Sequence, residues 1–214
     1  MNEHSFNFVV HKPKYIHTVR LRDEQKQATI QQKAIEIIVA DGFDGLSMHK
    51  LAKAAQVSPA TIYIYYKDRD DLIIQLSIDA ERKMFEATME GFDPHMSFAE
   101  GLRHQWKSRA SYFLKHPVQM HFLEQVRYSK YHEEVFHEAK ADYIARLTSF
   151  VQNAIDNKEL TPLPLEVYWS LAFAPLYQLV KFHINQKGMH GKPYILEEKT
   201  IELAASLVLK GLKP

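Results

Sequence analysis

The chain has 214 residues, 46% of them hydrophobic and 25% charged, with no cysteine and a formal net charge of +1. Those figures fit one or two globular domains and exclude a disulfide scaffold, a thiolate metal site and a cysteine nucleophile. No run approaches the ~18 consecutive apolar residues of a membrane span, and no basic-then-apolar leader opens the chain, so a cytoplasmic protein is expected.

Only 7 glycines and 9 prolines interrupt long segments with helical periodicity, and clean alternating runs are lacking. The expectation is an all-α fold of about nine helices. Charge is uneven along the chain. Residues 1–67 hold nine Lys and Arg against six Asp and Glu, a net of +3, and the remainder holds 18 against 20, a net of −2. That asymmetry has the sign suited to DNA but is small.

Residues 1–22 read as an N-terminal extension carrying Lys12, Lys14, Arg20 and Arg22. They suit a basic arm for DNA or a loosely docked tail. A helix is expected over residues 23–41, with Ile30, Ala34, Ile37 and Ile38 on one face and Gly42 ending it at the C′ position. Lys26 or Gln27, near its start, is a candidate for a phosphate at the helix N-terminus.

Ser47 then caps a helix whose Met48, Leu51, Ala52 and Ala55 fall at i, i+3, i+4, i+7. Ser58 caps the next, with Pro59 at its first position, where a missing N–H costs nothing. Ile62 and Tyr66 point inward, leaving Pro59, Ala60, Thr61, Ile64, Tyr65 and Lys67 outward and Tyr63 at the border. Two helices joined by so short a turn form a helix-turn-helix. Small, hydroxyl and aromatic groups on the exposed face suit a major groove, where hydroxyls reach phosphates or base edges and methyls touch thymine.

Residues 28–72 resemble the TetR family of bacterial transcriptional regulators, without a gap. The matching positions are Ile30, Ala34, Ile37-Ile38, Gly42-Phe43, Ser47, Leu51-Ala52, Ala55-Gln56-Val57-Ser58, Thr61-Ile62-Tyr63, Tyr65-Tyr66 and Arg69-Asp70-Asp71-Leu72. Three departures stand out. Gln56 replaces the usual turn Gly and is expected to carry backbone strain. Ala60 replaces a frequent Gly, and Arg69 replaces Lys. The resemblance implies a three-helix DNA-binding domain over residues 23–68 and a helical ligand-binding and dimerisation domain over residues 69–214. It implies DNA contacts from Ser47, His49, Ser58, Pro59, Ala60, Thr61, Tyr63, Tyr65, Lys67 and Arg69. Phosphates are assigned to Tyr63, Tyr65, Lys67 and Arg69, and bases to Thr61, Pro59, Ala60 and His49.

Beyond the hairpin a long helix is expected from Arg69 towards Gly91, ended by Gly91-Phe92-Asp93-Pro94. Further helices are expected to about Lys115 (with Phe98, Leu102, Trp106, Ala110 and Phe113 on one face), then over residues 118–128, 131–158, 165–187 and 194–211. Pro175 is expected to kink the fourth of these. The 165–187 segment is apolar on more than one side and so needs more than one packing partner.

The resemblance pairs the last two long helices with their symmetry mates. It therefore implies a homodimer reading a palindromic operator in double-stranded DNA. It also implies a small-molecule effector site enclosed by the middle helices and no cofactor. The candidate lining is Trp106, Phe113, Met120, Phe136, Tyr143, Phe173 and Tyr177, with Gln105, Arg109, Gln125 and Arg127 as polar neighbours. Such walls suit a hydrophobic ligand. The expected function is a transcriptional repressor released from its operator by that ligand, and the alternative is an architectural DNA-binding protein.

The 12 histidines raise a metal-dependent enzyme as a remote alternative. His132-Glu133-Glu134-Val135-Phe136-His137 looks like a zinc motif, but histidines five apart on a helix lie about 140° apart rather than on one face. No nucleophile elbow, phosphate loop or dinucleotide fingerprint is present.

Overall fold

The computed structural model describes the backbone of residues 14–139 and 141–214 and the side chains of residues 23–135 and 143–214. Every regular element among them is helical: α1 (Lys14–Asp41), α2 (Met48–Ala55), α3 (Pro59–Tyr65), α4 (Arg69–Met89), α5 (Phe98–Lys115), α6 (Pro117–Arg127), α7 (His132–Ala139), α8 (Ala141–Asp156), α9 (Leu165–Ala172), α10 (Ala174–Ile184) and α11 (Glu198–Leu212). A 3₁₀ turn, Phe43–Gly45, joins α1 to α2. The chain divides into two compact units, one ending at Arg69 and the other running from Asp70 to Pro214. No described helix is long and apolar enough to cross a membrane.

In the first unit the expected stripe of α1 is the buried one. Ile30, Ala34 and Ile38 are sealed from water beside Leu46, Leu51 and Ile62. Gly42 ends α1 in the left-handed region at φ 74°, and its N–H donates to the Ile38 carbonyl at 2.9 Å. The start of α1 differs from expectation, since the helix begins at Lys14 rather than Asp23. The physical reason lies in the sequence, where no Gly or Pro occurs between Pro13 and Gly42, so nothing stops the helix. Lys26 therefore stands three turns inside α1, away from any helix N-terminus. Of the extension assigned to residues 1–22, residues 1–13 and the remaining side chains lie outside the described residues.

In the second unit α5 is the central rod, packed against α6, α8, α10 and α11. A capping box starts it. The Ser97 hydroxyl accepts from the Glu100 N–H at 3.3 Å, and the Glu100 carboxylate accepts from the Ser97 N–H at 3.2 Å. Its expected face, Phe98, Leu102, Trp106, Ala110 and Phe113, forms the core.

Eleven α-helices among the described residues, against about nine expected, come from two divisions. The segment 165–187 is α9 and α10, parted at Phe173. Pro175 cannot donate to the Leu171 carbonyl and crowds that turn, so the expected kink is a full break. The Trp106 indole N–H donates to the Ala172 carbonyl at 2.7 Å and satisfies a group at that break. The segment 131–158 is α7 and α8, with residue 140 between them outside the described residues. The last helix also starts later than Tyr194. Leu196 is buried and its N–H donates to the His183 imidazole at 3.1 Å, which holds the chain extended until Glu197.

Close approach of α5 to α8 depends on Gly101. A Cβ there would stand 2.3 Å from the Phe150 ring, which is itself packed against Phe92 and Phe98. Gly101→Ala should therefore destabilise the second unit. Overpacking costs about 1–3 kcal/mol, and the better helix propensity of Ala returns about 1 kcal/mol. Thermal unfolding should show a melting temperature lower by a few degrees, and an unchanged or higher value would refute the close contact.

Candidate functional site

The hairpin is built from two serine caps and one apolar plug. The Ser47 hydroxyl accepts from the Lys50 N–H at 3.2 Å, and the Ser58 hydroxyl accepts from the Thr61 N–H at 3.2 Å. Pro59 occupies the first turn of α3 as expected. Ile62 is sealed from water and Tyr66 is 1% exposed, so these two side chains anchor α3 to the unit. Gln56 sits between the helices at φ 56°, ψ 40°, in the left-handed region the family pattern gives to Gly.

The outward face carries Ala60, Tyr63, Ile64 and Lys67, with Tyr63 54% and Ile64 74% exposed. Ser47, His49 and Ser58 are exposed, and Pro59 and Thr61 are half-buried. The Thr61 hydroxyl is shared with Ser58 at 2.9 Å. Ile64 was not among the expected DNA-contacting residues. Its exposure follows from the 100° step of a helix on which Ile62 is buried.

Two expected phosphate ligands have their polar groups turned onto their own unit. The Tyr65 hydroxyl donates to the Asp23 carboxylate and lies 3.4 Å from the Asp23 carbonyl. That hydrogen bond, with burial second, pushes the Tyr65 hydroxyl up to about 12. The Arg69 Nε donates to the Leu46 carbonyl at 2.9 Å and its Nη2 donates to the Phe43 carbonyl. Arg69 thus clasps the 3₁₀ turn, with Asp44 alongside at 3.8 Å. Lys50 is held similarly, donating to Asp41 at 2.7 Å and to the Gly45 carbonyl at 3.2 Å.

The expected ligand-lining residues divide into core and site. Trp106, Phe113, Met120 and Phe173 are buried core residues. Phe136 has its backbone in α7 but its side chain lies outside the described residues. Tyr143 and Tyr177 meet at the Arg109 guanidinium, which is 4% exposed. Its Nη1 donates to the Tyr177 hydroxyl at 2.7 Å and its Nη2 to the Tyr143 hydroxyl and, at 3.1 Å, to Gln105 Oε1. Gln105 is oriented by its own donation to the Thr88 carbonyl at 3.0 Å. The guanidinium also lies 4.7 Å from the Phe173 ring centre. Phe113 meets the Tyr177 ring edge-on at 5.7 Å.

Met84, Phe85 and Trp169 belong to the same cluster and were not anticipated. Phe85 stacks on Tyr143 at 3.8 Å, Trp169 stacks on Tyr177 at 5.7 Å, and the Met84 sulfur is 3.9 Å from Arg109 Nη1. The available signal was the spacing Ser77, Glu81, Met84, Phe85, Thr88 on α4, a helical stripe that mixes polar with apolar residues. Of the other polar neighbours, Arg127 lies over the Trp169 ring at 4.5 Å. Among the described residues no group of three or more His, Asp or Glu side chains is placed to hold a metal ion.

The capped helix-turn-helix on an all-helical frame has the architecture of known DNA-binding regulators, as comparison with known proteins shows. Residues 30–76 match the N-terminal domain of the bacterial regulatory proteins of the tetR family. An HTH-type transcriptional regulator of Haemophilus influenzae is 38% identical over 92 residues, 42% of this chain and 48% of that protein. The chain thus spans about half the length of that relative. An HTH-type transcriptional regulator of Bacillus subtilis is 24% identical over 161 residues, 74% of this chain and 79% of that protein. Among solved structures, a TetR family transcription regulator from Marinobacter aquaeolei VT8 superposes with a TM-score of 0.79 at 25% identity, covering 91% of this chain and 98% of that one. Residues 30–76 thus carry the DNA-binding domain of the tetR family of bacterial regulatory proteins, and the fold of the whole chain is that of a solved TetR family regulator.

Two consequences of the local geometry are testable. Gln56→Gly should relieve the left-handed strain and stabilise the protein by about 0.5–1 kcal/mol, read as a higher denaturant midpoint. The Tyr65 hydroxyl is raised from 10.0 to about 12, so its contribution to stability is present below pH 10 and lost as pH rises through 12. The stability difference between wild type and Tyr65→Phe should accordingly shrink over that window, and a difference independent of pH would remove the Tyr65–Asp23 bond from the account.

Proposed function

We propose that this protein is a homodimeric repressor that binds a palindromic operator and is released by a small ligand held in its second unit. The exposed face of α3 carries this reading. It is a short helix fixed from behind by Ile62, offering Ala60, Thr61, Tyr63, Ile64 and Lys67 to a groove. His49, Ser47, Ser58 and Pro59 flank it. Tyr63 and Lys67 take phosphates. Tyr65 and Arg69 act by shaping the hairpin as well, since their polar groups hold α1 and the 3₁₀ turn in the unbound chain.

A second copy is favoured by the apolar surface of α9 and α11. These helices pack together, yet Leu165, Val167, Leu171, Leu203 and Leu207 are 42–70% exposed. Residues 167 and 171, like residues 203 and 207, share a helix face at i, i+4. A monomer rarely leaves such a patch in water, and a two-fold interface would cover it with its own image. Repression and a cytoplasmic location follow the habit of the family. The ligand site is assigned to Trp106, Phe113, Met120, Phe136, Tyr143, Phe173 and Tyr177, of which Tyr143 and Tyr177 are the pair on Arg109.

Helix α4 is the covalent route from ligand to DNA. Its first residue, Arg69, is tied to the 3₁₀ turn in the first unit. Its second, Asp70, accepts from Lys130 and from the Tyr131 hydroxyl, each at 2.7 Å, in the second unit. A ligand that favours one arrangement of the second unit would act on DNA affinity by linkage.

Selection from a pool of random duplex DNA at near-physiological salt should return one palindrome with two half-sites. DNA without a shared sequence would instead support an architectural protein. On the selected site, Lys67→Ala should weaken binding and lower the slope of log K against log salt by about one. Tyr63→Phe should weaken it similarly across sequences. Wild-type affinity in both variants would place the DNA surface elsewhere.

A further inference from the structure

The guanidinium of Arg109 is closed off from water and has only neutral acceptors. Tyr177, Tyr143 and Gln105 take its Nη protons, and Phe173 covers its face. Its Nε–H is buried with no acceptor. No carboxylate pairs with it among the described residues. The buried Glu81 carboxylate exerts its field on Tyr143.

The tyrosines do not cancel the charge. Burial pushes the Tyr143 hydroxyl up, so it is protonated and neutral at physiological pH. Burial works against the Arg109 charge, and its hydrogen bonds to Tyr143 and Tyr177 favour it; a guanidinium stays protonated in a protein, so the cation persists. Each tyrosine oxygen accepts from Arg109, and neither hydroxyl proton has an acceptor among the described residues. Three donors, Arg109 Nε–H and two phenolic O–H groups, are therefore gathered at one buried positive charge with nothing among the described residues to accept from them. A buried cation without an ion pair is expensive unless an anion compensates it.

We infer that the second unit binds a monocarboxylic acid with an apolar body, its carboxylate seated on Arg109 between Tyr143 and Tyr177. This rests on reading that unit as a ligand-binding module. The head group follows from charge and geometry. One guanidinium balances one negative charge, whereas a phosphate monoester carries up to two and would need a second cation. A carboxylate can also accept from the free Arg109 Nε–H and from the two phenolic O–H groups. The body follows from the walls, since Met84, Phe85, Phe113, Phe173 and Trp169 offer aromatic faces and a deformable thioether.

The test uses the full chain and probes matched in their apolar part: decanoate, 1-decanol and decyl phosphate, with 4-phenylbutyrate and 4-phenyl-1-butanol as an aromatic pair. Binding is followed by the fluorescence of Trp106 and Trp169 and by thermal shift. The acids should bind at least tenfold more tightly than their alcohols. Arg109→Gln, which keeps a hydrogen-bonding group but loses the charge, should abolish that preference while the alcohols bind as before. Circular dichroism checks its fold. Tyr177→Phe, which removes one donor and keeps the ring, should reduce the preference several-fold and serves if Arg109→Gln does not fold.

Equal binding of acid and alcohol, no binding of either acid, a preference for decyl phosphate, or a preference that survives both variants would each overturn the inference. Release of operator DNA is measured alongside. Decanoate held through Arg109 without release of DNA keeps the head-group assignment and removes the ligand-released repressor. Release by acid and alcohol alike keeps the repressor and removes the head-group assignment.

Discussion

A helix of seven residues does not stand alone in water, and α3 is such a helix. Everything that the first unit does is arranged to hold it. The Ser58 cap contributes about 1 kcal/mol. Burial of Ile62 contributes about 1.5–3 kcal/mol, and Tyr66 adds a second plug just beyond the last turn. Packing therefore outweighs capping, and the outward side chains are free to be chosen for something other than stability. Tyr63 and Ile64, more than half exposed, reflect that freedom.

The same economy explains the polar contacts around the hairpin. Arg69 and Lys50 both reach the short 3₁₀ turn between α1 and α2, where carbonyls lack helical partners. Tyr65 crosses to Asp23 on α1. These bonds fix the angle at which α3 is presented. They are mostly exposed or half-exposed, so each is worth little by itself. Their value is geometric, because a recognition surface must be held to a fraction of an ångström to pair with a groove.

Legibility followed the range of the interactions. Caps, i, i+4 pairs and the Gly42 terminus act within one turn, and the hairpin was readable residue by residue from Ser47 to Lys67. Gln56 was identifiable as the strained position because its neighbours fixed the turn. The orientation of Tyr65 was not, since its partner Asp23 lies 42 positions away. Arg69 was assigned to phosphate for the same reason, as its acceptors lie 23 and 26 positions back. In the second unit the face of α5 was legible from periodicity. The break at Phe173 was understated, because a kink and a break differ only in what tertiary contacts, here the Trp106 indole, stabilise the freed carbonyls. Aromatic spacing alone could not separate Trp106 and Met120, which are core, from Tyr143 and Tyr177, which meet at a charge.

That charge gives the second unit a different logic from the first. An apolar side chain at position 109 would fill the interior without the desolvation cost that a guanidinium carries. Retaining Arg109 there makes sense where the compensating anion is a ligand, because the ligand's binding then removes a cost already built into the fold. The linkage is direct. On the proposal that this unit binds an acid, a conformation that opened the site would let water reach the guanidinium, and one that closed over a carboxylate would satisfy it from within. Two such conformations differ in affinity for the acid by whatever the buried pair contributes, and a tenfold difference corresponds to about 1.4 kcal/mol. A coupling of this size falls within the usual range of allosteric effects. The gripped first turn of α4, with Arg69 bound on one side and Asp70 on the other, is the element through which such a shift would reach the hairpin.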